Sequence, residues 1–151
     1  MVVFACTACG TVLTAKVARV ALPDHSSQKY GHDLLPHLLE PGTYAVDPGN
    51  GQPWQPWEPE PEEPGARLQM YRITGPPNRI GIAPGDVRGT AFIPERLGCC
   101  CCWDGQYGPN LACATCGSPV ATRVDDCGFW QVVWLEPDAV HPVAVTGPSS
   151  K

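Results

Sequence analysis

The short motif Cys-x-x-Cys-Gly occurs twice in the chain, as CTACG at residues 6–10 and as CATCG at residues 113–117. The two-residue spacing lets both thiolates of a motif face one metal ion, and the glycine accepts the positive φ that closes such a turn. Four thiolates are a usual ligand set for structural zinc, with iron as a common substitute. The sequence therefore predicts one zinc ion held by four residues: Cys6, Cys9, Cys113 and Cys116.

A metal ion held by both motifs would pin the first part of the chain to the last. Eighteen prolines and sixteen glycines among 151 residues disfavour long helices. The segments between the prolines and glycines are short and rich in β-branched residues, and this composition favours strands. The sequence predicts a mainly β fold, a small zinc-stapled antiparallel β-sheet domain with two zinc-knuckle hairpins and little helix. The predicted segments are a hairpin at 2–22 and strands at 67–74, 79–83 and 88–94. Two further strands are predicted at 119–127 (PVATRVDDC) and 129–140 (FWQVVWLEPDAV), the second ending in one helical turn at EPDAV.

The chain is expected to be a single domain over residues 1–151, because its length suits one modest core. Residues 47–65 are rich in proline and glutamate and have no apolar periodicity, so we expect a flexible insertion there. Trp54 and Trp57 lie in this insertion. Either they contact a partner protein, or the insertion folds back on its own domain.

Composition narrows the classes of function. Nine cysteines favour metal or thiol chemistry over disulfides in a chain with no signal-peptide pattern, so we expect a cytoplasmic protein. No apolar run is long enough for a membrane span. The net charge of −5 and the absence of a basic stripe predict no nucleic-acid partner. A zinc-ribbon protein of the transcription or translation apparatus is therefore the least favoured alternative.

Two stretches, CTACGTVLTAKVARV at the front and LACATCGSPVATRVDDCGFWQVVWLEPDAV at the back, resemble the β-tent zinc fold. Cereblon-type ligand-binding domains, Yippee proteins and B-type methionine sulfoxide reductases share that fold. The resemblance covers about a third of the chain. It implies the zinc site and the topology, with a long variable segment between the two knuckles.

The activities of these relatives do not carry over residue by residue. Cereblon-type domains bind cyclic imides in a cage of three tryptophans, and here Trp103 stands near the first position only. The second falls at Gly108 or Pro109 and the third at Thr122. The reductase nucleophile would fall near Val133 and Trp134, where there is no cysteine, and Cys127 comes too early. The resemblance therefore implies the fold without either activity.

The stretch GCCCCW at residues 98–103 leaves three interpretations open. Cys99 and Cys102 form a further Cys-x-x-Cys pair, which with Cys127 and one more ligand would hold a second metal such as zinc or Cu(I). Alternatively, the cysteines are reduced and serve as small apolar residues in a strand. In the third interpretation they provide a reactive thiol or a disulfide pair. Candidates for the fourth ligand are Cys100, His32, His37 and Asp126.

The sequence offers weaker signals for a binding site. Trp103 precedes a Gly/Asn-rich loop, where pockets are commonly built, and Trp130 either packs in the core or forms a wall for a ligand. The segment HDLLPHLLE is either a short helical or extended stretch or a lid that places His32 or His37 at a pocket. No linear catalytic motif is present. We therefore expect a non-catalytic zinc module that binds a small molecule or peptide on its open sheet face, near Trp103, Asn110 and Trp130; the alternative is a metal or redox-thiol protein.

Overall fold

The computed structural model describes residues 1–23, 37–48, 56–57, 70–71, 77–96, 108–124 and 131–145. Within them the chain forms short strands and two 3₁₀ turns, at Pro84–Asp86 and Pro94–Arg96. The strands in chain order are β1 (Val2–Cys6), β2 (Ala18–Arg19), β3 (Thr43–Asp47), β4 (Pro56–Trp57), β5 (Met70–Tyr71), β6 (Arg79–Ile82), β7 (Thr90–Phe92), β8 (Leu111–Cys113), β9 (Pro119–Val124), β10 (Val132–Leu135) and β11 (Val140–Ala144).

The main sheet has seven strands in the order β2-β3-β6-β10-β9-β8-β7. Its pairs are antiparallel apart from β2 and β3, which run parallel. Every residue of the central strands β6 and β10 is buried. Burial on both faces explains why β10 reads VVWL without the alternation of a half-exposed strand. The predicted mainly β, antiparallel architecture is therefore confirmed.

One face of the main sheet packs against the antiparallel pair of β1 and β11, in which Val2 lies opposite Ala144 and Cys6 opposite Val140. Phe4 of β1 reaches the sheet and meets the ring of Tyr44 edge to face, with 5.1 Å between the ring centroids. This apolar layer holds the end of β1 in a fixed position over the sheet. The end of β1 is where the first knuckle begins.

The opposite face of the sheet packs against Leu38 and Leu39, both buried beside Trp134. A Cβ atom at Gly81 would lie only 2.8 Å from Cζ3 of Trp134, so this strand position has room only for glycine. The guanidinium of Arg79 stacks 3.8 Å from the centre of a Trp134 ring and pairs with Asp47 at 3.2 Å. The buried cation is thus neutralised within the fold.

Several local predictions can be compared with the structure. The hairpin over 2–22 has a regular first arm, β1, and an irregular second arm that contacts it at Val12 and Val17. The end of EPDAV is a tight turn closed by the Ala139 N–H donating to the Glu136 carbonyl, and it leads into β11, which the sequence did not predict. Among the described residues, no helix is long and apolar enough to span a membrane.

The predicted insertion 47–65 begins inside β3, because Asp47 is the last residue of that strand. Pro56–Trp57 forms β4, which pairs with Met70–Tyr71 of β5. The remainder of the insertion, apart from Pro48, lies outside the described residues, so its predicted flexibility stays a prediction.

Candidate metal centre

The two knuckles have the same backbone geometry. In the first, the Cys6 N–H donates to the Thr11 carbonyl at 2.8 Å and the Gly10 N–H donates back to the Cys6 carbonyl at 2.7 Å. In the second, the Cys113 N–H donates to the Ser118 carbonyl and the Gly117 N–H to the Cys113 carbonyl, both at 2.8 Å. Each motif is therefore a tight turn that closes a hairpin.

The glycines of the two motifs have the left-handed conformation that the sequence predicts. Gly10 has a φ of 81° and Gly117 a φ of 82°. Residues with a Cβ atom rarely adopt this conformation. The fifth residue of each motif is thus required by the turn itself.

The four motif cysteines come together although 104 residues separate Cys9 from Cys113 and 110 separate Cys6 from Cys116. The Sγ atoms of Cys6 and Cys116 lie 3.6 Å apart, as do those of Cys9 and Cys113. All four sulfur atoms lie within 4.8 Å of one another. For comparison, Zn–S bonds of 2.3 Å in a tetrahedron place the sulfur atoms about 3.8 Å apart. The cluster is close enough to hold a metal ion.

Gly89 forms the joint between the two knuckles. Its carbonyl accepts the N–H of Ala114 in the second knuckle at 2.8 Å. On the other side, a Cβ atom at Gly89 would lie 3.0 Å from the Val12 carbonyl oxygen and 3.3 Å from Cγ2 of Thr11, next to the first knuckle. The first knuckle is also held to the turn between β10 and β11, where the Thr7 N–H donates to the Ala139 carbonyl at 2.9 Å. These backbone contacts position the two hairpins face to face.

The pKa values of the two buried thiols, Cys6 and Cys113, shift in opposite directions. Burial raises the pKa of Cys6 to about 11, although the backbone amides of Cys9 and Ala8 partly offset this. Burial also acts to raise the pKa of Cys113, but hydrogen bonds from the amides of Cys116 and Thr115 and from the neighbouring thiols outweigh it, and the pKa falls to about 6. Cysteine binds metal as the thiolate, so metal binding near neutral pH must release the proton of Cys6.

Hydroxyl groups flank the two exposed sulfur atoms at equivalent positions. Oγ1 of Thr11 lies 3.1 Å from the Cys9 sulfur, and Oγ of Ser118 lies 3.4 Å from the Cys116 sulfur. The hydroxyl of Ser118, with its backbone amide, lowers the pKa of Cys116. Sequence analysis did not single out these residues. The available signal was the hydroxyl residue two positions after the second cysteine of each motif.

The structure is silent on most of the other predicted site residues. Cys99, Cys102 and Cys127, the proposed second metal site, lie outside the described residues, as do Trp103 and Trp130. A second metal site and an aromatic ligand wall therefore stay predictions.

Asn110 is fully buried, and its side chain holds β9 in place. Its amide nitrogen donates to the Arg123 carbonyl at 3.0 Å, and its amide oxygen accepts the Arg123 N–H at 2.7 Å. This geometry gives Asn110 a structural role, and its predicted contact with a ligand stays a prediction.

Two positions that the β-tent resemblance singles out lie in the core. Thr122, at the third cage position, is buried, and among the described residues its hydroxyl has no hydrogen-bond partner. Val133, near the position of the reductase nucleophile, is fully buried in β10.

His37 lies at an open cleft of about 390 Å³, where it makes a parallel bridge to Gln131. Leu39, Glu40 and Pro41 complete the lining of this cleft. Leu38 and Leu39 beside it pack on the sheet. Most of HDLLPHLLE lies outside the described residues, so its interpretation as a lid stays a prediction. His32 lies outside the described residues.

Comparison of the chain with protein-family models, with curated proteins and with solved structures gives no significant match.

Proposed function

We propose that this protein is a zinc-binding module in which Cys6, Cys9, Cys113 and Cys116 hold one structural Zn²⁺ ion. The observation that carries the proposal is the meeting of four sulfur atoms from two equivalent turns within 4.8 Å. Four thiolates favour zinc over magnesium or calcium, which prefer oxygen ligands. The amides that point at the sulfur atoms of Cys6 and Cys113 would stabilise the thiolates in the bound state.

The proposed role of the ion is structural. Four protein ligands complete a tetrahedron and leave no position for a substrate or an activated water molecule, which supports a non-catalytic module. The ion would join β1, at the start of the chain, to the turn between β8 and β9. The same arrangement supports the proposed β-tent architecture, in which two knuckle hairpins enclose a long intervening segment.

We further propose that the module binds a small molecule or peptide at its open sheet face. The cleft beside His37 and Gln131 has about 390 Å³, within the range of small-ligand sites. A thermal-shift screen of small molecules and short peptides tests this part. A compound that stabilises the wild type but neither the His37→Ala nor the Gln131→Ala protein would support it. Compounds that stabilise all three proteins equally would contradict it.

The metal proposal is tested by removing the ion from purified protein with a chelator and following the β-sheet signal by circular dichroism. Structural zinc contributes on the order of 10 kcal/mol in small zinc domains, so we expect unfolding on chelation and refolding when Zn²⁺ is returned. A chelated protein that keeps its native spectrum and melting temperature would contradict the proposal.

A matched pair of variants locates the metal. Cys113→Ser removes a ligand from the proposed cluster and should abolish zinc binding. Cys127→Ser removes a cysteine outside the cluster and should leave one zinc per chain. Loss of metal in Cys127→Ser with retention in Cys113→Ser would instead favour the alternative site at Cys99, Cys102 and Cys127.

A further inference from the structure

The short sulfur contacts in the cluster run between the knuckles. Cys6 contacts Cys116 and Cys9 contacts Cys113, both at 3.6 Å, within the distance of an S–H···S hydrogen bond. The two contacts share no atom, so they divide all four cysteines into two separate pairs. Each pair combines one buried sulfur with one exposed sulfur.

We propose that the cluster is an oxidative modification site, at which a peroxide converts the four thiols into two disulfides between the knuckles, Cys6–Cys116 and Cys9–Cys113. This inference rests on the proposed metal site, since the same sulfur atoms serve both states. The reduced form binds the metal ion. The oxidised form releases it and keeps the two ends of the chain joined covalently.

The chemistry balances for each pair separately. The exposed thiolate, Cys9 or Cys116, attacks one oxygen of the peroxide; the O–O bond breaks, and the cysteine becomes a sulfenic acid while water or an alcohol leaves. The buried thiol of the same pair then attacks that sulfur, the S–S bond forms, and water leaves with its proton. Two electrons pass from each sulfur pair to one peroxide molecule. Two peroxides are therefore consumed per cluster, and the metal departs as the divalent cation.

The scaffold favours bonds between the knuckles over bonds within them. Each turn is held by one backbone hydrogen bond. The Gly10 N–H donates to the Cys6 carbonyl at 2.7 Å, and the Gly117 N–H donates to the Cys113 carbonyl at 2.8 Å. A disulfide has strict geometric requirements, so a bond inside one of these short turns must accommodate the fixed turn. The sulfur atoms of each proposed pair already lie 3.6 Å apart on opposing knuckles.

Trypsin cleavage distinguishes the two outcomes. Cleavage after Lys16, Arg96 and Arg123 places the first knuckle in peptide 1–16 and the second in peptide 97–123. The full-length zinc-loaded protein is treated with hydrogen peroxide, alkylated, digested without reduction and analysed by mass spectrometry. We expect peptide 1–16 to be linked to peptide 97–123. An unlinked peptide 1–16 that has lost two hydrogens would show a Cys6–Cys9 bond and overturn the proposal.

Variants exclude the other cysteines of peptide 97–123. In a protein with Cys99, Cys100, Cys101 and Cys102 all replaced by serine, the link must persist; its loss would assign it to the GCCCC run and overturn the proposal. In Cys116→Ser, the Cys9–Cys113 bond should remain while Cys6 becomes free to react with the alkylating reagent. In Cys9→Ser, the Cys6–Cys116 bond should remain and Cys113 should react. Alkylation of Cys9 in the Cys116→Ser protein, or of Cys116 in the Cys9→Ser protein, would contradict the pairing.

Zinc binding by the reduced protein, measured in parallel, separates this inference from the function on which it rests. A reduced protein that binds one zinc but forms bonds within its knuckles would overturn the disulfide pairing alone. A reduced protein that binds no zinc would overturn the metal proposal, whichever disulfides it forms.

Discussion

Gly10 and Gly117 adopt the same left-handed conformation in two separate turns, with φ of 81° and 82°. Among the residues that the structure describes, none places an atom within 4 Å of the position that a Cβ would occupy at either glycine. Substitution at either residue therefore changes the conformational strain of the turn without creating a steric clash.

We predict that Gly10→Ala and Gly117→Ala each lower the free energy of unfolding by about 1–2 kcal/mol, the cost of the left-handed region for a residue with a Cβ. Metal affinity should fall with it, because the turn positions two ligands. Denaturant unfolding of the metal-loaded protein measures the first effect and competition with a chelating dye the second. Gly85→Ala is the matched control, since Gly85 also has open space at its Cβ position but no positive φ. Equal stability of the Gly10→Ala, Gly117→Ala and Gly85→Ala proteins would disprove the prediction.

Gly89 should be more sensitive than the knuckle glycines. An alanine there meets both a φ of 65° and the Val12 carbonyl oxygen at 3.0 Å. We expect Gly89→Ala to destabilise the protein by about 1–3 kcal/mol beyond the conformational cost, as overpacking does, and to separate the two knuckles. Gly108→Ala isolates the conformational part, because Gly108 has a φ of 83° and open space. If the two variants lose the same stability and the same metal affinity, Gly89 is not the joint between the knuckles.

The hydroxyls of Thr11 and Ser118 should strengthen metal binding through the two exposed sulfur atoms. A metal-bound thiolate only accepts hydrogen bonds, so in that state each hydroxyl donates to its sulfur. We predict that Thr11→Val and Ser118→Ala each weaken metal affinity by about tenfold, the low end for groups that support ligands. Thr11→Ser and Ser118→Thr keep the hydroxyl group and should retain the wild-type metal affinity.

The charge-transfer absorption of the Co²⁺-substituted protein provides a second readout for these hydroxyls. Loss of a hydrogen bond to sulfur should shift this band, whereas a general loss of packing should not. Thr115→Val, which changes an exposed threonine inside the second knuckle, should leave both affinity and spectrum unchanged. A Thr11→Val or Ser118→Ala protein with the wild-type spectrum and affinity would argue against this role.

The four-cysteine cluster could be predicted from the sequence because the determinants of each knuckle are local. Each knuckle carries its two cysteines, its glycine and its hydroxyl residue within six residues, and the two copies match. Gly89 and Arg79 could not be assigned roles in this way. Their contacts, to Ala114 for one and to Trp134 for the other, depend on strands that meet only in the folded sheet.

β11 escaped prediction for a related reason. Its sequence, VHPVA, contains a proline and is exposed over four of its five residues, so it lacks the apolar pattern of a core strand. It forms because β1 is available as a partner, with Phe4 opposite Pro142. Proline is tolerated there because the strand lies at the edge of a two-stranded sheet.

The carboxyl of Glu136 should make stability depend on pH. Burial raises its pKa from the ordinary 4.5, and the nearby Arg79 offsets this only in part. A raised pKa in the folded state means that the protonated form is favoured by folding. This stabilisation is complete below the pKa of the unfolded chain and is lost as the pH rises through the higher folded value.

We therefore predict that Glu136→Gln, which stays neutral, gains stability relative to the wild type as the pH rises from about 4 towards 7. Urea unfolding of both proteins at a series of pH values measures the difference, and loss of metal at low pH affects both alike. Glu95→Gln, at an exposed carboxyl, serves as the control and should track the wild type. A stability difference between Glu136→Gln and wild type that does not change with pH would refute the prediction.

The central claim is most directly tested by the metal content per chain of protein purified without added metal, with a count of reactive thiols on the same sample. The account predicts one zinc per chain, with four of the nine cysteines protected from alkylation until a chelator is added. Cys6→Ser should remove that zinc. A protein that contains no metal and reacts at all nine thiols, or that keeps its zinc in Cys6→Ser, would contradict the account.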